Sequence, residues 1–194
     1  MSRVLSPEFV LLAYRAGYFP MADPHGRVHW LSPDPRCVFE LERFRVTRSL
    51  RQAIRNGGFE LRINAAFDEV IAACGDRREG TWISPEIRQV YQRLHRLGWA
   101  HSVEAWRDGA LRGGLYGIAI GGAFFGESMF HRAANASKVA LAALMQRLHE
   151  RGFAFVDAQM STPHLFSLGA IEIPRTEYLC RLREALACTP GPLG

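Results

Sequence analysis

A chain of 194 residues, 48% hydrophobic and 22% charged with a formal net charge of +5, has the composition of a globular protein and excludes a disordered or fibrous one. It is long enough to bury one substantial core and too short for two full-sized domains, which predicts one domain with a small appendage. No stretch approaches the roughly 20 apolar residues that span a bilayer, and residues 1–10 lack the apolar centre of a signal peptide, so a cytoplasmic protein with no membrane partner is expected. Cys37, Cys74, Cys180 and Cys188 form no C-x-x-C pair and read as free thiols.

Ser6-Pro7 is a helix opening, and Gly17 is placed to end that helix. Gly17-Tyr18-Phe19-Pro20 leads into a stretch holding Pro24, Gly26, Pro33 and Pro35, which reads as a loop linking a small N-terminal domain (1–34) to the main one (35–194). A helix is predicted over 47–57 and a short strand near 59–63, after which Asn64 should cap a helix ending near Gly75. Ser84-Pro85 repeats the opening signal, with Ile87, Val90, Tyr91 and Leu94 as the apolar stripe before Gly98. Three strands follow, 100–106, 111–120 and 123–130, the first two joined at Asp108-Gly109. Then come a helix over 136–150, a buried strand over 153–156, a helix over 162–168, a strand over 170–173 and a helix over 176–187. Meander, helix, strand, helix, strand is the order of an α/β (α+β) fold with a mixed sheet of the acetyltransferase-like (GNAT) type and helices on both faces.

Of the 24 basic residues all but Lys138 are Arg. Arg43, Arg45, Arg48, Arg51, Arg55 and Arg62 share a window whose single acid is Glu60, and Arg48, Arg51 and Arg55 share a helical face. Such a strip is either a solvated face or a path for a nucleic-acid backbone. Asp157 and Gln159 interrupt an apolar strand with period two, so they form either a satisfied structural pair or a site. Glu127 stands among apolar neighbours, and Asn135-Ala136-Ser137-Lys138 opens the long helix, where ordinary capping competes with anion binding. Residues 130–138 lack glycine, whereas acetyltransferases of this fold cradle coenzyme A in a glycine loop there. Trp30, Trp82 and Trp106 could stack on bases. The seven histidines show no metal spacing.

Together these segments resemble the bacterial leucyl/phenylalanyl-tRNA protein transferases. The matching motifs run in order: 17–20, Trp30-Leu31-Ser32-Pro33-Asp34-Pro35-Arg36, Gly80-Thr81-Trp82-Ile83, 100–104, Gly113-Gly114-Leu115-Tyr116-Gly117, Gly126-Glu127-Ser128-Met129-Phe130, 135–138, Asp157-Ala158-Gln159, 167–170 and Ile173-Pro174-Arg175. The resemblance implies a small N-terminal domain before an acetyltransferase-like one. It also implies no metal or other cofactor, a leucyl-, phenylalanyl- or sometimes methionyl-tRNA donor, and an acceptor protein beginning with Arg or Lys that is thereby marked for degradation. By position it assigns Asp157 and Gln159 to catalysis and Glu127 to the acceptor's basic N-terminus. Leu115, Phe124, Leu144 and Val156 fall in the aminoacyl side-chain pocket, with Ser128 beside them, and Trp82 falls against the terminal adenine.

This chain departs from the family in carrying Met21 where a tryptophan usually follows Phe-Pro, which leaves Trp30 as the candidate to compensate, and in beginning partway through the usual N-terminal domain. A monomer is expected. The competing readings are a coenzyme A-dependent N-acetyltransferase and a non-catalytic RNA-binding module.

Overall fold

The computed structural model describes residues 5–194. Its centre is the expected meander of β5 (Ala100–Arg107), β6 (Ala110–Ile120) and β7 (Ala123–His131). Asp108 and Gly109 join the first two of these strands with φ of 54° and 69°, the left-handed pair that a two-residue hairpin turn requires. The long helix α5 (Ala136–Glu150) then carries the chain back to β8 (Phe155–Gln159), which lies parallel to β7, as a helical crossover allows.

Two parts of the sheet escape the sequence pattern. The stretch read as a linking loop forms a separate hairpin of β1 (Phe19–Ala22) and β2 (Val28–Leu31), its turn held by the Asp23 carboxylate accepting from the His25 and Arg27 amides. Prolines and glycine outweigh four-residue strands in any composition-based reading. More consequential is β3 (Arg36–Glu40), which inserts antiparallel between β8 and β9 (Ile171–Ile173). Buried on both sides, it shows no alternation to read. With β4 (Glu60–Ile63) on β5, the large sheet has seven strands in the order β4-β5-β6-β7-β8-β3-β9.

The helices keep their predicted openings with one exception. Ser6, Thr47, Ser84 and Thr162 accept the capping hydrogen bond of α1 (Pro7–Arg15), α2 (Arg48–Asn56), α4 (Pro85–Arg96) and α6 (Pro163–Ser167). Asn64 does not cap α3 (Phe67–Gly75): its backbone is left-handed at φ 60°, and its amide oxygen accepts from Ser102 N instead. The buried Glu104 carboxylate takes over near that terminus, accepting from the Ala65 and Ala66 amides. The predicted strand at 153–156 is displaced, running from Phe155 to Gln159, and α7 (Arg175–Leu186) closes the fold.

Helices cover both sheet faces. α1, α3, α4 and α7 contribute to one apolar cluster, in which Val10, Leu11, Tyr14 and Phe19 of the N-terminal segment pack with Tyr91, Tyr116 and Tyr178 of the main fold. α2, α5 and α6 contribute to the other, around Phe124, Leu141, Leu144 and Leu148. Among the described residues no helix is long and apolar enough to cross a membrane.

The sheet has an irregularity at Glu127. Between β6 and β7, Tyr116 pairs with Ser128 while Gly117 pairs with Gly126, leaving Glu127 as the extra residue of a β-bulge. Gly117 permits this crowding, since a Cβ there would meet Cε1 and Cζ of Phe124 at 2.5 and 2.7 Å. Gly117→Ala is therefore expected to lower stability by about 1–3 kcal/mol in a urea titration, the usual penalty of overpacking a filled core.

Candidate active site

β7 and β8 are paired only from Ala123↔Phe155 to Phe125↔Asp157; beyond that point both strands continue but part company. The gap opens a cavity of about 870 Å³. Its apolar wall comes from Leu115 on β6, Leu141 and Leu144 on α5, Val156 on β8 and Phe39 on β3. Trp82 and Met21 stand on a second wall, whose strand and loop are tied by Ala22 N donating to Trp82 O at 3.1 Å. Glu127, Ser128 and Gln159 line it where the two strands part.

Asp157 does not reach the cavity; it faces a buried partner that sequence reasoning passed over. Its carboxylate accepts from Arg36 Nε at 2.9 Å and Nη2 at 2.7 Å, from Tyr178 Oη at 2.7 Å and from the Gln159 amide at 2.9 Å. Arg36 is itself fully buried, donates through Nη1 to Gly17 O and lies between the rings of Phe19 and Tyr178, 4.8 and 4.5 Å from its guanidinium carbon. Burial works against the Arg36 charge, yet the hydrogen bonds and charge of Asp157 prevail and hold its pKa above the ordinary value. Burial also pushes the Tyr178 phenol far up, so it remains a donor.

Gln159 takes a left-handed backbone, φ 65°, where β8 ends. Its Nε2 donates to Glu127 Oε1 at 3.0 Å, while Oε1 of the same amide has no donor among the described residues. The amide orientation is thus set by one carboxylate, and its open acceptor is the oxygen.

Glu127 is enclosed by hydroxyls. Tyr14 Oη lies 2.6 Å from one carboxylate oxygen, Tyr91 Oη 3.0 Å from the other, and the two phenols touch each other. Three contacts among three groups need three protons, and two phenols supply two. A proton on Glu127, donated back to one phenol, would complete the set. The electrostatics agree: burial raises Glu127 to about 7, against the hydrogen bonds from Tyr14, Tyr91 and Gln159, with the Asp157 charge adding to the rise.

The remaining sequence-predicted residues divide. Met21, Trp82, Leu115, Ser128, Leu144 and Val156 line the cavity together with Glu127 and Gln159. Phe124 does not: wholly buried over Gly117, it packs in the same apolar cluster as Leu115, Leu144 and Val156. Trp30 cannot replace the family's tryptophan, because it pairs with Pro20 whereas Met21 pairs with His29, and neighbouring positions of a strand face opposite ways. Its ring packs edge-on against Phe9 at 5.1 Å. Trp106 sits outside the cavity beneath the Arg62 guanidinium, at 4.6 Å.

Arg43, Arg45, Arg48, Arg51 and Arg55 are all exposed and outside the cavity; Arg43 pairs with Glu40 at 2.8 Å. Sequence reasoning missed Arg36, Tyr14, Tyr91 and Tyr178. The available signal was Arg36 at the head of Cys37-Val38-Phe39, a cation entering an apolar run that needs a buried carboxylate.

A carboxyl whose folded pKa is raised from 4.5 to about 7 stabilises the fold fully below pH 4.5 and loses that contribution as pH rises through about 7. Glutamine carries the same donor and acceptor as the protonated acid without this loss. Relative to the native protein, Glu127→Gln is therefore expected to gain stability between pH 4.5 and 7, by up to about 3 kcal/mol, and to hold that gain at pH 8. Thermal unfolding at several pH values measures the difference; a pH-independent offset would contradict the raised carboxyl.

The sequence model of the family described as leucyl/phenylalanyl-tRNA protein transferase matches residues 38–183, and that of its N-terminal domain matches residues 3–34. A leucyl/phenylalanyl-tRNA–protein transferase of Aromatoleum aromaticum is 55% identical over 191 residues, covering 97% of this chain and 81% of that one. One from Gloeobacter violaceus is 53% identical over 184 residues, covering 94% and 95%. A solved GCN5-related N-acetyltransferase from Kribbella flavida overlays 85% of this chain and 59% of that chain at 16% identity with a TM-score of 0.46, too distant a likeness to carry a functional argument. Two family matches that together span nearly the whole chain, and relatives sharing half its residues, identify it: the chain belongs to the leucyl/phenylalanyl-tRNA protein transferase family.

Proposed function

We propose that this cytoplasmic protein moves Leu or Phe, and sometimes Met, from an aminoacyl-tRNA to the α-amino group of proteins that begin with Arg or Lys, marking them for degradation. The amine nitrogen attacks the ester carbonyl, the carbon–nitrogen bond forms, the carbon–oxygen bond to the terminal ribose breaks, and the ribose hydroxyl leaves with the proton the amine gives up. An ester is already activated, so orienting an unprotonated amine accounts for most of the acceleration. The observation that carries this reading is the Gln159 amide, fixed through Nε2 so that Oε1 is the free acceptor at the strand gap. That oxygen accepts a hydrogen bond from the attacking amine.

Asp157 is a positioning residue in this scheme, since it holds Gln159 through the backbone and does not line the cavity. Glu127 holds the amide group of Gln159 and, near its pKa of about 7, gives up its proton when a cationic acceptor side chain approaches. Leu115, Leu141, Leu144 and Val156 receive the apolar aminoacyl side chain, and Trp82 and Met21 receive the terminal adenine.

Incubation with leucyl- or phenylalanyl-tRNA and a peptide starting in Arg is expected to give transfer that ribonuclease abolishes, with none to peptides starting in Asp. Gln159→Ala should lower kcat about a hundredfold with donor affinity nearly unchanged. Normal turnover in that variant would remove Gln159 from the mechanism. Asp157→Ala is a poorer test of chemistry, because it strands the buried Arg36 charge.

The exposed strip of Arg43, Arg45, Arg48, Arg51 and Arg55 is read as following the phosphates of the tRNA acceptor stem. Changing Arg48, Arg51 and Arg55 to Glu is expected to weaken tRNA binding at least tenfold and to flatten its salt dependence. Unchanged affinity would make the strip a solvated face.

A further inference from the structure

The cavity has an end that the transfer chemistry leaves unused. It is formed by the first turn of α5, where Asn135 stands at the cap position with φ 64° and makes no side-chain capping bond. Ala136 N donates to Ala133 O and Val139 N donates to Asn135 O, but the amides between them, Ser137 N and Lys138 N, have no acceptor among the described residues. Two free donors at the positive end of a helix of 15 residues attract an anion.

A second, independent feature points the same way. Ser137 lines the cavity while only 6% exposed, and its hydroxyl has no hydrogen-bond partner among the described residues. That oxygen is open to the cavity rather than sealed in the core, so it is free to meet a ligand there. Lys138, the sole lysine of the chain, lines the cavity at the adjacent position and makes no ion pair among the described residues. His164 and His131 line the same end and lie within electrostatic reach: burial first, then Lys138 and His131, lowers the His164 pKa. The cavity's carboxylates, Glu79 and Glu127, belong to the loop before α4 and to the β7 bulge.

Two amides, a hydroxyl and an ammonium suit a tetrahedral anion with several exposed oxygens. Leu141 and Leu144, which line the apolar wall, stand one and two helical turns further on, about 6 and 10 Å from Ser137 along the axis, so an aminoacyl group seated there lies next to this end of the cavity. We infer that the first turn of α5 binds a phosphate group, the one joining the last two nucleotides of the RNA donor, through the amides of Ser137 and Lys138, the Ser137 hydroxyl and the Lys138 ammonium. This rests on the reading that the donor is an aminoacyl-tRNA.

Equilibrium binding of two unreactive donor analogues to the full chain tests it. Both carry phenylalanine in amide linkage to 3′-amino-3′-deoxyadenosine, and one bears a 5′-phosphate. The phosphate is expected to tighten binding about tenfold, a gain of the size a charge-assisted hydrogen-bond set provides. Lys138→Ala and Ser137→Ala should each remove most of that gain while leaving the Kd of the unphosphorylated analogue unchanged, and Lys138→Arg should keep most of it. Equal affinity of the two analogues for the native protein, or an equal loss for both in the variants, would overturn the assignment.

Inorganic pyrophosphate provides an arm that does not depend on the donor reading. If it binds through Lys138 while the 5′-phosphate adds nothing, an anion site exists but the RNA phosphate is not its ligand, which also overturns the assignment. If neither analogue binds at all, the donor reading fails, and loss of pyrophosphate binding in Lys138→Ala then upholds the site by itself.

Discussion

The site hangs on one buried ion pair. Arg36 and Asp157 are both wholly removed from water, a placement that costs several kcal/mol per charge before any attraction is counted. It is tolerable because the polar groups are met: Asp157 accepts four hydrogen bonds, and Arg36 donates to Asp157 and Gly17 while its flat faces lie between Phe19 and Tyr178. The pair ties four remote pieces of chain, the end of α1, β3, β8 and α7, to one point. Removing either partner alone would leave a charge with nowhere to go. Such a pair gives little net stability against an apolar replacement, and its use here lies in geometry, since the same carboxylate that Arg36 fixes also accepts from the Gln159 amide.

From that point the arrangement propagates in two directions. On β8, the left-handed turn at Gln159 ends the strand just where pairing with β7 has stopped. On β7, the bulge singles out Glu127 and presents it to the Gln159 side chain. A regular ladder would give Glu127 a partner on β6. The bulge lies two residues beyond the last β7–β8 pair, and the apolar wall of the gap is an ordinary helix stripe at Leu141 and Leu144.

Elements with a clear period or a clear opening were legible from sequence: the α4 stripe, the meander and α5 fell where their residues placed them, because local propensity and tertiary packing agreed. The short strands were not legible. β1 and β2 hide among turn formers, and β3, apolar between charged ends, offers neither alternation nor helical spacing. Missing β3 meant missing Arg36, and with it the reason Asp157 is buried. The period-two argument put Asp157 and Gln159 on one face, whereas only Gln159 lines the cavity and Asp157 holds that residue through its backbone amide. Trp30 was misjudged for the same reason: without the hairpin register, its face relative to Met21 was unknown.

The proton count around Glu127 bears on how such a site could work. A carboxylate beside the strand gap would ordinarily suggest a general base, but deep burial and the Asp157 charge raise this group to about 7 despite the hydrogen bonds from Tyr14, Tyr91 and Gln159. That value lies only about one unit below the ordinary 7.7–8 of an α-ammonium, so proton transfer between the two is nearly balanced and has little driving force either way. Glu127 can, however, respond to charge: a cation arriving beside it stabilises the ionised form, and the released proton leaves the phenols as the remaining donors. The aminolysis of an ester needs little help from a base and much help from alignment. A neutral amide oxygen held in one orientation serves that need better than a second charge, which the nearby Asp157 would oppose.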